Sequence, residues 1–211
     1  MFGQGLLHGL GPDHCLAIGT LAAAGGGLRR ALGVSIRFGV AHTAVLAAGA
    51  ILAGAAGVVI PARWESAFEV VGGVSLLALG LWTLLSRQGA VPHAHGGVVH
   101  AHDGRAHSHE GVEVEVAPPT GGRFAALMGG VFGLSGIRGL LMLMPLMGRE
   151  RAVMLSAGVA LFGLGVVLSM LAVGWLAQRA ADAAARWERG LRVPVGVASV
   201  VCGAWWVVSH V

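Results

Sequence analysis

The sequence predicts an all-α integral membrane protein with six transmembrane helices in an inverted 3+3 repeat, whose first and fourth helices are broken. Three observations predict this fold: the composition, six long apolar windows and an internal repeat. Of the 211 residues, 55% are hydrophobic and 11% are charged, whereas about a quarter of the residues in an ordinary soluble domain are charged. The mean hydropathy is +0.77. We therefore expect the chain to lie in a lipid bilayer.

Six windows are long and apolar enough to cross the membrane, because a hydrocarbon core about 30 Å thick requires about 20 apolar residues per helix. The windows are 4–24, 31–59, 67–86, 123–147, 152–178 and 191–208. The segment between the third and fourth windows is polar and rich in His, Gly and Pro, which predicts a flexible loop. The expected organisation is a first three-helix repeat over 1–86, a His-rich loop over 87–122 and a second three-helix repeat over 123–211.

The two halves of the chain resemble each other when one is shifted by 124 residues along the other. The matches are Gly9-Leu10 with Gly133-Leu134, Phe38-Gly39 with Phe162-Gly163, Gly72 with Gly196, Ser75 with Ser199, and Trp82 with Trp206. Each half has an odd number of predicted helices, so the second half must begin on the opposite side of the membrane. This plan is common among secondary transporters, which bind their substrate near the midplane where the halves meet.

The basic residues predict the orientation of the chain. The chain has fourteen arginines and no lysine, and its net charge is +4. Nine arginines lie on the side of the first, third and fifth connections: Arg29, Arg30, Arg87, Arg105, Arg123, Arg179, Arg186, Arg189 and Arg192. Three lie on the other side: Arg63, Arg149 and Arg151. The positive-inside rule therefore places the His-rich loop in the cytoplasm and the N-terminus outside a bacterial-type inner membrane. Arginines beside apolar helices indicate contact with lipid headgroups and not with nucleic acid.

A few strongly polar side chains lie inside the predicted helices, where such groups are costly enough to be functional candidates. His8, Asp13 and His14 lie in the first window, His42 in the second and Arg138 in the fourth. All of them except His8 fall within about one helical turn of the centre of their window. We therefore expect these four residues at similar depth in the membrane.

The spacer Gly9-Leu10-Gly11-Pro12 predicts an interruption of the first helix. On an unbroken helix His8 and His14 would project about 120° apart, because six residues advance about 600°. Pro12 removes a backbone donor and crowds the preceding turn, while glycine tolerates unusual dihedral angles. A kink or local unwinding there would direct both histidines at one point. The corresponding stretch of the fourth helix is also rich in glycine, so we expect a second interruption there.

Imidazole together with carboxylate suits borderline divalent cations such as Ni²⁺, Co²⁺, Zn²⁺ and Cu²⁺, whereas Mg²⁺ and Ca²⁺ prefer oxygen ligands. The candidate metal ligands are therefore His8, Asp13, His14 and His42. Cys15 is a candidate additional ligand, although a free cysteine in an apolar helix more often acts as a small hydrophobic residue. The alternative is that each histidine only hydrogen-bonds to a neighbouring helix.

The predicted loop repeats His-x-His three times, through His93, His95, His100, His102, His107 and His109. Such tracts capture metal weakly and exchangeably, because a disordered chain must be ordered before it can chelate. The alternative is a solvated linker that binds no metal.

The spacing His8-x4-Asp13-His14 resembles the H-x4-D-H signature of the nickel/cobalt transporter family, which includes nickel and cobalt efflux proteins and urease-associated membrane proteins. The stretch RFGVAHTAVLAAG, which contains His42, is similar to the next helix of that family. The resemblance implies a permease with the signature in its metal site. Histidine-rich cytoplasmic loops are frequent among the efflux members of the family.

The second half of the chain departs from the family pattern. Its stretch GVFGLSGIRGLLMLMPL lacks the acidic and hydroxyl residues of the second signature of uptake permeases, and it is more similar to the urease-associated branch. Phe132 stands where that branch would have a histidine, and Arg138 stands at the repeat position of His14. We expect Arg138 to be a charge partner of Asp13 when no metal is bound.

These features predict a permease for Ni²⁺ or Co²⁺, with Zn²⁺ as a further candidate, that has no prosthetic group and is not an enzyme. The expected partners are the lipid bilayer, the metal ion, and a metallochaperone or maturation proteins of a urease or hydrogenase. No G-x4-GK[ST] loop is present, so energy would come from an ion gradient or a separate subunit.

Two alternatives remain at this point. The first is an accessory membrane protein that binds metal for a nickel enzyme such as urease without moving it. The second is a thiol-redox conductor, which would need a second cysteine in the fourth helix. The repeat partner of Cys15 is Gly139, so the sequence does not supply that cysteine.

Overall fold

The computed structural model describes residues 1–22, 27–56, 61–85, 93–95, 98–100, 122–136, 151–184 and 192–211. These residues form seven helices and one short β-hairpin. The helices are α1 (Phe2–Gly9), α2 (Pro12–Ala22), α3 (Gly27–Ala56), α4 (Ala62–Leu85), α5 (Gly122–Ser135), α6 (Arg151–Ala184) and α7 (Arg192–His210). The strands β1 (His93–His95) and β2 (Val98–His100) lie between α4 and α5 in the chain.

Four of the described helices are long and apolar enough to cross a membrane. Their candidate spans are Gly27–Leu52, Arg63–Leu85, Ser156–Ala184 and Arg192–His210. These spans correspond to the second, third, fifth and sixth predicted windows. The first window is divided between α1 and α2, as the predicted interruption requires. The fourth window contains α5, and the remainder of that window, where a second interruption is predicted, lies outside the described residues.

Several helices extend beyond the apolar windows that predicted them. Helix α3 begins at Gly27, ahead of Arg29 and Arg30, and α6 continues past Arg179 to Ala184. Arginine is a good helix former, and its long side chain reaches from an apolar surface to water. A helix can therefore continue through such arginines, whereas a hydropathy window ends where the charges begin.

Two three-residue strands lie in the polar segment after α4. Strands β1 and β2 pair antiparallel, with His93 opposite His100 and His95 opposite Val98. The rest of this segment up to α5 lies outside the described residues, so the predicted flexible loop stays a prediction. Apart from these two short strands the described elements are helices, in agreement with the predicted all-α fold.

The described helices pack around a buried core at the centre of α3 and α6. Phe38 and Leu46 of α3 and Val166 and Met170 of α6 are at most 1% exposed. Helix α3 also packs against α5, α1 packs against α6, and α4 packs along α7.

Glycines allow these helix backbones to approach each other closely. Gly129 of α5 lies against the carbonyl group of Phe38, and Gly5 of α1 lies against the carbonyl group of Phe162 in α6. A Cβ atom at either glycine would overlap the facing carbonyl oxygen. Small residues at helix interfaces are typical of membrane proteins, where close packing contributes to helix association.

Large apolar side chains cover the outside of the helices. Leu7, Leu52, Leu85 and Trp205 are all more than two-thirds exposed. Extensive exposed apolar surface is unusual for a soluble monomer and is expected where lipid covers the protein. The chain is therefore a helical membrane protein.

Candidate metal centre

The helix interruption lies within the stretch HGLGPDH. Helix α1 ends at Gly9 and α2 begins at Pro12, whose ring crowds the preceding turn. The N–H group of Leu10 donates to carbonyls in the last turn of α1, and that of Gly11 donates to the carbonyl of His8 over 2.9 Å. The helix is thus interrupted while the backbone N–H groups of Leu10 and Gly11 keep their hydrogen bonds.

The interruption brings His8 and His14 together, with ring centroids 4.9 Å apart. His42, near the middle of α3, lies 4.7 Å from His14 and 5.3 Å from His8 by the same measure. One nitrogen of each ring lies within 4.8 Å of the other two. We refer to His8, His14 and His42 as the histidine group.

The histidine group is buried at His14 and His42, partly buried at His8, and has few hydrogen-bond partners. His14 is 2% exposed and His42 is 0% exposed. The Nε2 atoms of His8 and His42 lie 3.1 Å apart. Within the described part of the chain, both ring nitrogens of His14 and Nδ1 of His42 have no hydrogen-bond partner. A buried polar atom without a partner costs about 1–3 kcal/mol. A cation would offset this cost, because unprotonated ring nitrogens can act as ligands.

The spacing of one pair of nitrogens matches that of two ligands of a single metal ion. A bond between imidazole nitrogen and zinc is about 2.0–2.1 Å, so two ligands of one ion lie about 3–4 Å apart. The 3.1 Å between the Nε2 atoms of His8 and His42 falls in this range. One nitrogen of His14 lies within 4.8 Å of a nitrogen of each of the other two rings, so the His14 ring would move closer to share the same ion. An all-imidazole set favours borderline transition metals over Mg²⁺ and Ca²⁺.

Asp13 supplies a negative charge beside the histidine group. Its Oδ1 atom lies 2.8 Å from Nδ1 of His14. The carboxylate oxygen thus faces this nitrogen at contact distance, although the two groups are not aligned as a hydrogen bond. The carboxylate is also in the first turn of α2, where the positive end of the helix dipole stabilises it. Asp13 therefore offsets part of the charge that a divalent cation would bring into an apolar environment.

Three phenylalanines surround the histidine group, and sequence reasoning did not assign them to the site. The ring of Phe38 is nearly parallel to that of His42, with ring centroids 6.2 Å apart. The ring centroid of Phe132 lies 6.0 Å from that of His14. The ring centroid of Phe162 lies 5.5 Å from that of His8. All three are buried. An apolar shell limits access of water to a metal site and strengthens its electrostatic interactions. The signal that could have found them is the repeat, which aligns Phe38 with Phe162.

The other predicted site residues lie apart from this group or outside the described residues. Sγ of Cys15 lies 3.5 Å from the carbonyl oxygen of Leu10, at the interruption. The cysteine is not part of the group of candidate ligand atoms. His93, His95 and His100 lie in the hairpin. The residues outside the described part of the chain are Arg138, His102, His107 and His109.

Comparisons of this chain with family models, with curated proteins and with solved structures found no match. The fold and the site nevertheless define a class: a helical membrane protein whose first helix is interrupted at a group of three histidines, two of them buried, that could hold a metal ion.

Proposed function

We propose that the protein is a membrane transporter for a divalent transition-metal ion, with Ni²⁺ and Co²⁺ as the first candidates, and that the histidine group binds the ion during transport. The observation that carries this proposal is the convergence of three imidazoles from α1, α2 and α3, two of them buried and His8 partly buried, with nitrogens within 4.8 Å of one another. Ionisable groups inside a membrane are costly and commonly mark ion pathways.

The interrupted helix supports a transport role over a purely structural metal site. In many transporters, discontinuous helices line the substrate site, and the carbonyl ends of half-helices face the cation. Here His8 lies in the last turn of α1, close to that carbonyl end, and Asp13 lies in the first turn of α2. Both ends of the interruption therefore contribute groups to the site.

An inverted 3+3 repeat is part of the proposal, and pairs of helix contacts support it. Gly5 lies against the carbonyl of Phe162 in the same way that Gly129 lies against the carbonyl of Phe38. The 124-residue shift seen in the sequence relates Gly5 to Gly129 and Phe38 to Phe162. The two contacts are thus equivalent: in one the first half supplies the glycine and the second half the phenylalanine, and in the other these contributions are reversed.

A second pair of contacts follows the same relation one helical turn further along. A Cβ atom on Gly9 would lie 3.0 Å from the carbonyl oxygen of Val166, and one on Gly133 would lie 2.7 Å from that of His42. These positions also exchange under the 124-residue shift. Rocking of one half against the other would then expose the site to each side in turn.

The two halves of the chain differ at the site. The proposed transporter therefore has one ion site, without a second set of the same ligands in the other half. The repeat position of His8 is Phe132, and that of His42 is Val166. Among the described residues, the first half thus supplies the ligands, and the second half supplies apolar side chains beside them. Following the arginine distribution, we place the protein in a bacterial-type inner membrane with the hairpin segment in the cytoplasm.

Metal flux into proteoliposomes tests the proposal. We expect the wild-type protein to move Ni²⁺ or Co²⁺, and His14→Ala to abolish flux because it removes a buried ligand. Asp13→Asn removes the charge beside His14, and we expect the metal affinity to fall about 10–100-fold, as is typical of an outer-shell partner. His8→Ala is a second ligand variant, and it changes a less buried position of the group.

His210→Ala is the matched control. This histidine lies at the end of α7, stacked on Trp206, and is not in the histidine group. We expect it to keep wild-type flux. Unchanged flux in both His14→Ala and His8→Ala would contradict the assignment of the transport site. Metal binding without flux in the wild type would contradict transport and would favour an accessory metal-binding role.

A further inference from the structure

A hydrogen bond between two buried hydroxyl groups joins the short helix α2 to α7. The Oγ1 atom of Thr20 lies 3.1 Å from Oγ of Ser199, and the two residues are 1% and 0% exposed. Ser199 donates its own proton to the carbonyl oxygen of Val195 over 2.9 Å. A hydroxyl group has a single proton, so Thr20 is the donor in the contact between the two helices. This bond ties the first half of the chain to the second half.

Helix α2 covers one side of the histidine group. His14 lies in the first turn of α2, and Ala17, Ile18 and Leu21 follow it with at most 1% exposure. Thr20 lies six residues after His14, which is about 9 Å along the helix. In the proposed orientation, this buried stretch of α2 separates the histidine group from the cytoplasm.

We propose that the hydrogen bond from Thr20 to Ser199 is a latch that holds the cytoplasmic side of the transport path closed. The latch rests on the proposed function, because a path to the cytoplasm is needed only if the ion moves. An ion that leaves the histidine group towards the cytoplasm requires α2 to separate from its neighbours. Separation from α7 breaks the bond, so the bond favours the closed state.

The internal repeat indicates that the latch favours one of two related states. Ser75 is the repeat position of Ser199, and its hydroxyl donates to the carbonyl oxygen of Val71 over 2.7 Å, as that of Ser199 does to the equivalent valine. The repeat position of Thr20 is Met144, which has no hydroxyl group. A corresponding contact on the outer side would therefore lack the hydrogen bond. The two states of an inverted repeat exchange the roles of the halves, so the bond stabilises closure on the cytoplasmic side.

The reactivity of a thiol on α2 tests the latch. In protein that carries Cys15→Ser and Cys202→Ser, the substitution Ala17→Cys places one thiol between the histidine group and Thr20. Inverted membrane vesicles present the cytoplasmic side to a charged, membrane-impermeant methanethiosulfonate, without added metal. The rate of modification follows the fraction of protein whose cytoplasmic side is open. We expect Thr20→Val to raise this rate about 3-fold, which corresponds to an average hydrogen bond between membrane helices.

Two control variants separate the latch from changes in packing. Thr20→Ser keeps the hydroxyl group, and Ser75→Ala removes a hydroxyl that bonds within its own helix. We expect both controls to keep the rate of the unsubstituted background. Ser199→Ala removes the acceptor, and we expect the same rise as with Thr20→Val, without a further rise when the two substitutions are combined.

The side from which the thiol becomes reactive distinguishes a latch from a general loosening of the helices. Right-side-out vesicles present the outer side to the same reagent, and we expect no rise there. An unchanged rate in Thr20→Val, or an equal rise from both sides, would overturn the proposal. The measurement needs no transport. A wild type without metal flux would contradict the proposed function, whereas a rise from the cytoplasmic side would still show that the bond closes access to the histidine group.

Discussion

Gly11 is the residue that leaves space for the contact between Asp13 and His14. A Cβ atom at this position would lie 2.6 Å from Oδ1 of Asp13 and 3.3 Å from Nδ1 of His14. It would also lie 3.1 Å from the carbonyl oxygen of His8. Any side chain here would therefore push against both ends of the interruption and displace groups of the proposed metal site.

We expect Gly11→Ala to weaken metal binding about 10–100-fold, the loss typical of a disturbed outer shell. The measurement is the Ni²⁺ affinity of protein in which the six histidines between α4 and α5 are replaced by alanine, so that the membrane site is observed by itself. Gly3→Ala is the control, because a Cβ atom there meets nothing within 4 Å among the described residues. Equal affinity in the two variants would show that the close approach at Gly11 does not determine the site.

At the scale of residues, part of the site could be predicted from local sequence. Gly-Leu-Gly-Pro indicates an interruption between His8 and His14, and the structure has one there. The phenylalanines could not be assigned to the site from local sequence, since an apolar residue in an apolar helix gives no signal of which face it occupies; the only signal was the repeat that aligns Phe38 with Phe162. Their position depends on helix packing, which local sequence does not specify.

The described helices are held together at positions where one backbone lies directly on another. Gly129 of α5 packs on the backbone of Phe38, whereas the next residue, Gly130, has ordinary space: its Cβ atom would lie 3.6 Å from the side chain of Val45. These adjacent glycines have the same intrinsic helix propensity. They differ only in the space that their surroundings leave.

We expect Gly129→Ala to lower the free energy of unfolding by about 1–3 kcal/mol, the usual cost of overpacking. Gly130→Ala is expected to be neutral or to raise it by about 0.5–1 kcal/mol, because alanine is the better helix former. Denaturant unfolding of the detergent-solubilised protein measures both. A destabilisation by Gly130→Ala as large as that by Gly129→Ala would contradict the described α3–α5 packing.

Among the helices, hydropathy predicted six membrane-crossing windows, and four of them match described helices that are long and apolar enough to cross a membrane. It missed the helical turns that contain arginine, because a hydropathy window ends where charged residues begin and not where the helix ends. It also gave no indication of the short strands β1 and β2. The second interruption stays a prediction, since its residues lie outside the described part of the chain.

In the whole molecule, the two halves of the chain have different roles at the candidate site. The three histidines come from the first half, and Phe132 and Phe162 of the second half lie against them. This division could not be predicted from composition, because the repeat makes the halves similar in overall pattern. The division of roles follows from the positions where the repeat pairs a histidine with an apolar residue, His8 with Phe132 and His42 with Val166.

The central claim is that the histidine group binds a transition-metal ion inside the membrane. X-ray absorption spectroscopy of Ni²⁺ tests it most directly, on protein loaded with one equivalent in which the six histidines between α4 and α5 are replaced by alanine. We expect scattering from about three imidazoles, matching the three residues of the group, and its loss together with the bound metal in His14→Ala. A nickel environment without imidazole, or the same spectrum and occupancy in His14→Ala, would contradict the claim.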